Sequence, residues 1–159
     1  MCKKLITAVF TVFLFFISIT AVSALDEVGS ITVNLEEGKK GTSVKNVELE
    51  LIKIADIING QYLLINDLQD IEIDLNTLET AEDMKNAAYT ISKITVSKNI
   101  VGTRKTTNDY GTVKFDQLEK GVYLLQATDI NKYENIVSTL ISVPAFNNES
   151  KNSMNYDIS

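Results

Sequence analysis

The chain has 159 residues, 45% of them hydrophobic, with one Pro, seven Gly and a formal net charge of −6, which excludes a fibrous or disordered class. It has no His, no Trp and a single Cys, so the usual general base, the common zinc ligand and the Ser-His pair are all missing. Its acidity repels nucleic-acid phosphates and anionic lipid, so no nucleic-acid partner is expected.

At the N-terminus Lys3 and Lys4 precede a charge-free run from Leu5 to Val22, and Ser23 and Ala24 follow before the first acids, Asp26 and Glu27. Charged start, apolar run and small-residue exit are the three parts of a secretory signal peptide. Cleavage is expected between Ala24 and Leu25. An uncleaved anchor is the competing reading, since eighteen helical residues reach about 27 Å against about 30 Å of bilayer core. The small residues at the exit favour cleavage. Residues 1–24 are therefore read as signal peptide and 25–159 as one mature domain, which meets the membrane only in transit. Cleavage removes two of fifteen basic residues and none of twenty-one acids, leaving a net charge of −8. Cys2 leaves with the signal, so the mature domain has neither a disulfide nor a thiol nucleophile. Lying ahead of the apolar run, Cys2 is no lipid acceptor.

In the mature part Ile31, Val33 and Leu35 alternate with polar residues, which predicts a half-buried strand over 31–35. Residues 36–43 read as a turn. Val47, Leu49 and Leu51 predict a second strand, and the broken alternation at Leu51-Ile52 predicts a bulge or burial on both faces. Asn59-Gly60 marks a hairpin into a strand over 61–65. Ile71, Ile73 and Leu75 alternate with Glu72 and Asp74, predicting another short strand or extended stretch. Thr80, followed by Glu82 and Asp83, opens a helix over about 80–98 whose buried stripe would be Met84, Ala87, Ala88, Ile91 and Ile94. Strands follow at 102–107, 112–115, 122–128 and 136–143, the last stopped by Pro144, and a short one at 154–158. The pattern predicts a mainly β sandwich with one inserted helix.

Few residues carry chemistry. Asp67, Asp70, Glu72 and Asp74 form the one acid cluster, but its strand-like alternation and lack of a turn glycine do not make a calcium loop. Two carboxylates could flank a glycosidic bond, yet no Trp platform accompanies them. No glycine-rich phosphate loop is present. No catalytic residue, metal site or cofactor is expected, and the chain is read as a non-enzyme. Lys39, Lys40, Lys45, Lys98, Arg104 and Lys105 read as surface cations before they read as transpeptidase acceptors. Of Tyr62, Tyr110, Tyr123 and Tyr133, alternation turns Tyr123 inward rather than into an aromatic patch.

Five ordered stretches carry a family resemblance: 29–33, 47–56 ending Leu51-Ile52-Lys53-Ile54-Ala55-Asp56, 109–124, Ser142-Val143-Pro144 and Tyr156-Asp157-Ile158. The third holds Gly111, Phe115, Leu118, Gly121 and Tyr123 in the spacing G-x-x-x-F-x-x-L-x-x-G-x-Y. Together they resemble the N-terminal domain of Gram-positive sortase-type pilin subunits and the prealbumin-like domains of surface adhesins. The resemblance implies a transthyretin-like, reversed-immunoglobulin sandwich at the cell surface, secreted or in the cell wall. It also implies contacts with other pilin-like subunits, and with sortase if a longer product exists. The histidine-dependent hydrolases of the same fold are excluded by composition. Many such domains form a Lys–Asn or Lys–Asp isopeptide bond, but Leu35 and Ala127 occupy the family's Lys and Glu positions, and an acid at Gln126 would face the opposite way. No isopeptide bond is expected. The sequence ends at Ser159, about where the pilin-linking lysine segment would begin, which leaves a truncated frame or a freestanding protein. The alternative function is a secreted binding module for a glycan or host protein, using loops 36–43 and 102–109.

Overall fold

A computed structural model describes residues 28–37, 43–129, 136–146 and 154–159. The expected signal peptide, Lys39, Lys40 and Tyr133 lie outside the described residues.

Strand β2 (Glu48–Ile58) organises the chain because both its faces are apolar. Leu49 and Leu51 point one way into a core shared with Ile31, Val113, Phe115, Tyr123 and Leu125. Ile52 and Ile54 point the other way, into a second core with Ala88, Ile91, Val122 and Leu124. The register slips between Lys53 and Ala55, and this bulge returns Ala55 to the second core. Burial on both faces is thus observed, with the irregularity two residues beyond the broken alternation.

Two sheets and a helix result. Strands β1 (Gly29–Asn34) and β5 (Thr112–Leu118) pair antiparallel, and β10 (Asp157–Ile158) runs parallel beside β1. The second sheet has the order β3-β2-β6-β7, with β3 Gln61–Leu64, β6 Gly121–Ala127 and β7 Thr139–Val143. Strand β4 (Thr103–Thr106) pairs with the first half of β2. A short ladder joins β8 (Ala145–Phe146) to β9 (Met154–Asn155). The first core fills the space between the sheets, and α1 (Ala81–Ser97) covers the far face of the second. All seven residues of β6 are buried, as expected for a strand with apolar layers on both sides.

Local chemistry sets the boundaries. Asn59 and Gly60 both have positive φ, 51° and 78°, the backbone of a type I′ turn, so the chain reverses from β2 into β3 in two residues. β7 ends at the cis Val143–Pro144 bond, and begins later than the apolar run from residue 136 predicts. Helix α1 starts at a capping box. Thr80 Oγ1 accepts from the Asp83 amide at 3.1 Å, while the Asp83 carboxylate accepts from the Thr80 amide at 3.0 Å. Thr80→Ala should therefore lower stability by about 1 kcal/mol in urea unfolding, and an unchanged midpoint would count against the cap.

Two expectations are corrected, the first only in its strand alternative. Residues 71–75 do not form a strand; this stretch joins the 3-10 turns at Asn66–Leu68 and Leu75–Thr77, with Asp74 in extended backbone. Ile71 and Ile73 pack against the second core without joining a ladder, because Asp74 caps the second turn through the Asn76 amide. On α1, Met84 is 45% exposed, and the polar Ser92 and Thr95 take buried positions beside Ala87, Ala88 and Ile91.

Candidate functional site

A carboxylate inside two-sided apolar surroundings needs partners, because an unpaired buried charge is costly. Glu50 is in this position on β2, facing α1, with its side chain 5% exposed. Register places it opposite Arg104 on β4 and Gln126 on β6. Its Oε1 accepts from Arg104 Nε at 2.9 Å and from the Gly102 amide at 3.1 Å, and its Oε2 accepts from Gln126 Nε2 at 3.0 Å. Gln126 Oε1 accepts from Ser92 Oγ at 2.7 Å, so one hydrogen-bonded chain runs from β4 through β2 and β6 into the helix. Thr95 Oγ1 donates to the Ser92 carbonyl at 2.8 Å. Among the described residues no buried side-chain polar atom lacks a partner.

The electrostatics follow from these bonds. Burial pushes the Glu50 carboxyl up, but hydrogen bonds from Arg104, Gln126 and the Gly102 amide outweigh it and hold the pKa below its ordinary value. The bond to Glu50 in turn raises Arg104. Both groups stay charged at neutral pH, so Glu50 has no proton to give there. The adjoining cavity, about 230 Å³, is lined by Thr95, Asn99, Arg104, Gln126 and Thr128 as well as Glu50. This arrangement joins four elements electrostatically and presents no activated nucleophile.

A second charged group lies at the middle of β2. Lys53 Nζ bonds Asp56 at 2.9 Å and Glu119 at 3.0 Å. Burial lowers this ammonium, and the two carboxylates more than restore it. Nearby, Tyr123 is 5% exposed and its hydroxyl donates to the Glu119 carbonyl at 2.7 Å, with its pKa raised chiefly by burial. The inward orientation expected for Tyr123 is what the structure has.

The remaining sequence candidates are scattered. Leu35 packs against the first core, of which Ala127 is a buried member, so both are apolar positions of the same layer. Gln126 faces the helix side, as alternation requires. Asp67, Asp70, Glu72 and Asp74 are exposed, and no cluster of three or more metal-binding side chains forms among the described residues. Asp74 accepts from the Asn76 backbone and side-chain amides, which holds its carboxyl low. Lys45 pairs with Asp109, Lys105 with Asp116, and Lys98 Nζ donates to the Asp67 carbonyl. Tyr62 packs on the second core, Tyr123 lies in the first and Tyr110 is 86% exposed, so these three described tyrosines make no common patch. Sequence reasoning missed Glu50, because β2 also carries Glu48 and Asp56 and nothing local marks which of its acids is buried.

No protein-family model matches the sequence, and no curated protein does. Among solved structures the chain is similar to the full-length major pilin SpaD of Corynebacterium diphtheriae, at 21% identity and a TM-score of 0.45 over 83% of this chain and 28% of that one. It is also similar to the pilus 2b backbone protein of group B streptococcus, at 18% identity and a TM-score of 0.39, over 83% of this chain and 39% of that one. The third, the SpaA pilin in complex with a signal peptide, also from Corynebacterium diphtheriae, has 22% identity and a TM-score of 0.41, over 83% of this chain and 93% of that one. The chain thus spans under a third of the length of the SpaD pilin.

Proposed function

We propose that this chain is a structural or adhesive cell-surface domain of pilin type, acting through protein–protein contacts and catalysing no reaction. The observation that carries the reading is where the family-like segments fall. They lie in order on the sandwich, and Ile31, Leu51, Phe115, Tyr123, Val143 and Ile158 from them meet in a single core. The buried Glu50 supports the non-catalytic part, since its carboxylate is taken up by Arg104, Gln126 and the Gly102 amide. Among the described residues no helix is long and apolar enough to cross a membrane. Export would depend on residues 1–24, with subunit partners or sortase met outside the cell. With Leu35 and Ala127 apolar, the domain would be held noncovalently.

Fractionation of producing cells, with intact-mass measurement of the exported protein, tests this reading. Retention at the surface or in larger assemblies is expected, with a mass that begins at Leu25 and shows no loss of ammonia or water. Protein found wholly in the medium as monomer would overturn the structural role. A retained leader or a condensed mass would overturn the processing or the absence of the isopeptide bond.

A further inference from the structure

Helix α1 buries one side on the second sheet and leaves another side open. Between that open side and residues 136–138 lies a groove of about 590 Å³, within the usual range for ligand sites. Its floor is apolar. Val96 and Val137, 58% and 55% exposed, line it together with Ile136. Tyr89, also 58% exposed, stands at the middle, with Lys93 Nζ held 4.2 Å from its ring centroid.

Charge distinguishes this groove from the rest of an acidic chain. Lys45, Lys53, Arg104, Lys105 and Lys114 each have a carboxylate partner. Among the described residues Lys85, Lys93, Lys98 and Lys120 have none; of these Lys85 and Lys93 line the groove, and no acidic side chain is among its described lining residues. Eight residues separate them, so along the helix they lie about 12 Å apart. In an extended peptide the side chains at positions i and i+4 share one face and lie about 13 Å apart. Carboxylates at those positions would meet the two ammoniums. The side chain at i+2 shares that face and would lie over Tyr89, one helical turn from each lysine, so an apolar residue is expected there.

We propose that the groove binds an extended acidic peptide segment of a partner protein, its carboxylates on Lys85 and Lys93 and its apolar side chains on Tyr89, Val96 and Val137. Val96, Ile136 and Val137 favour a peptide with apolar side chains over a sugar, although Asn86 and Ser138 also line the groove. This deepens the contact role proposed above by naming one face and the chemistry of its partner.

The test is fluorescence anisotropy with a labelled seven-residue peptide that has Glu at its second and sixth positions and Leu at its fourth, and with its Gln/Leu counterpart. Saturable binding of the acidic peptide alone is expected, weakened by salt. Lys85→Glu with Lys93→Glu should reduce affinity at least about tenfold, and Tyr89→Ala about fivefold, with helical circular dichroism unchanged because all three side chains are exposed. Equal binding by the charge-reversed variant, or no saturation, would overturn the proposal. So would tighter binding of a glucuronate tetrasaccharide than of the peptide. Surface retention without peptide binding would remove the groove alone, and peptide binding by a purely soluble monomer would remove the surface role alone.

Discussion

Gly102→Ala should lower the thermal midpoint by about 10 °C, corresponding to roughly 3 kcal/mol in a domain of this size. At Gly102 the chain enters β4 pressed against β2. A methyl group there would run into the Leu51 carbonyl oxygen, lie 2.7 Å from its carbon and sit 2.8 Å from Ile52 Cγ1. Two of these three obstacles are backbone atoms inside a fully paired strand, so β2 has no direction in which to yield. Relief must come from β4, whose Thr103 and Arg104 pair with Leu51 and Glu50. Moving it also pulls the Gly102 amide off the Glu50 carboxylate. Overpacking and a broken buried bond therefore add at one position. Thermal unfolding followed by circular dichroism measures the effect, and a shift under about 2 °C would mean that β4 does not approach β2 this closely.

The second large effect is at Glu50 itself. Glu50→Ala leaves the Gln126 amide and the Gly102 N–H without acceptors and Arg104 without its carboxylate, and should cost about 3 kcal/mol. Glu50→Gln should cost much less, because a Gln side chain can still accept from Arg104 and Gly102. A flip of Gln126 would then let its oxygen accept the new amide. The two variants also separate size from charge through pH. The folded-state pKa of Glu50 is lowered, so its ionised form contributes fully above the ordinary value of 4.5, and that contribution fades as pH falls through the folded value. Asp74 and Asp83 are lowered as well and steepen the acid limb in every variant. The difference between wild type and Glu50→Gln isolates Glu50. It should be constant above about pH 5 and narrow as pH falls further. Melting curves between acid and neutral pH decide this, and parallel curves throughout would show that the Glu50 charge contributes nothing.

Much of the sandwich was legible because its signals are local. Alternation in β1 and in β5, the Asn59-Gly60 turn and the Thr80 cap each depend on a few neighbouring residues. The stretch at 71–75 shows where local reading fails. Ile71 and Ile73 alternate with acids as a strand would, yet a chain draped over a hydrophobic core satisfies the same period without a ladder partner. Helix α1 shows the opposite case. Counting apolar residues assigned Met84 to the buried stripe and passed over Ser92, whose burial is possible only because Gln126, thirty-four residues away, accepts its hydroxyl. The Glu50 chain was illegible for the same reason. Its members come from β2, β4, β6 and α1, and only the sheet register brings them together. The open groove beside α1 likewise depends on which helix side the sheet leaves uncovered.

The parallel pairing of β10 with β1 has a mechanical consequence. Ser30 donates its amide to the Tyr156 carbonyl at 2.8 Å and its hydroxyl to Asp157 at 2.7 Å, beside the Ile31–Ile158 pair. Tension applied to the chain ahead of β1 and beyond β10 would pull these neighbours in opposite directions along their own axes. Such a load is shear. It bears on all the cross-links of the pair simultaneously instead of peeling them one after another, and β5 on the other side of β1 resists the same displacement.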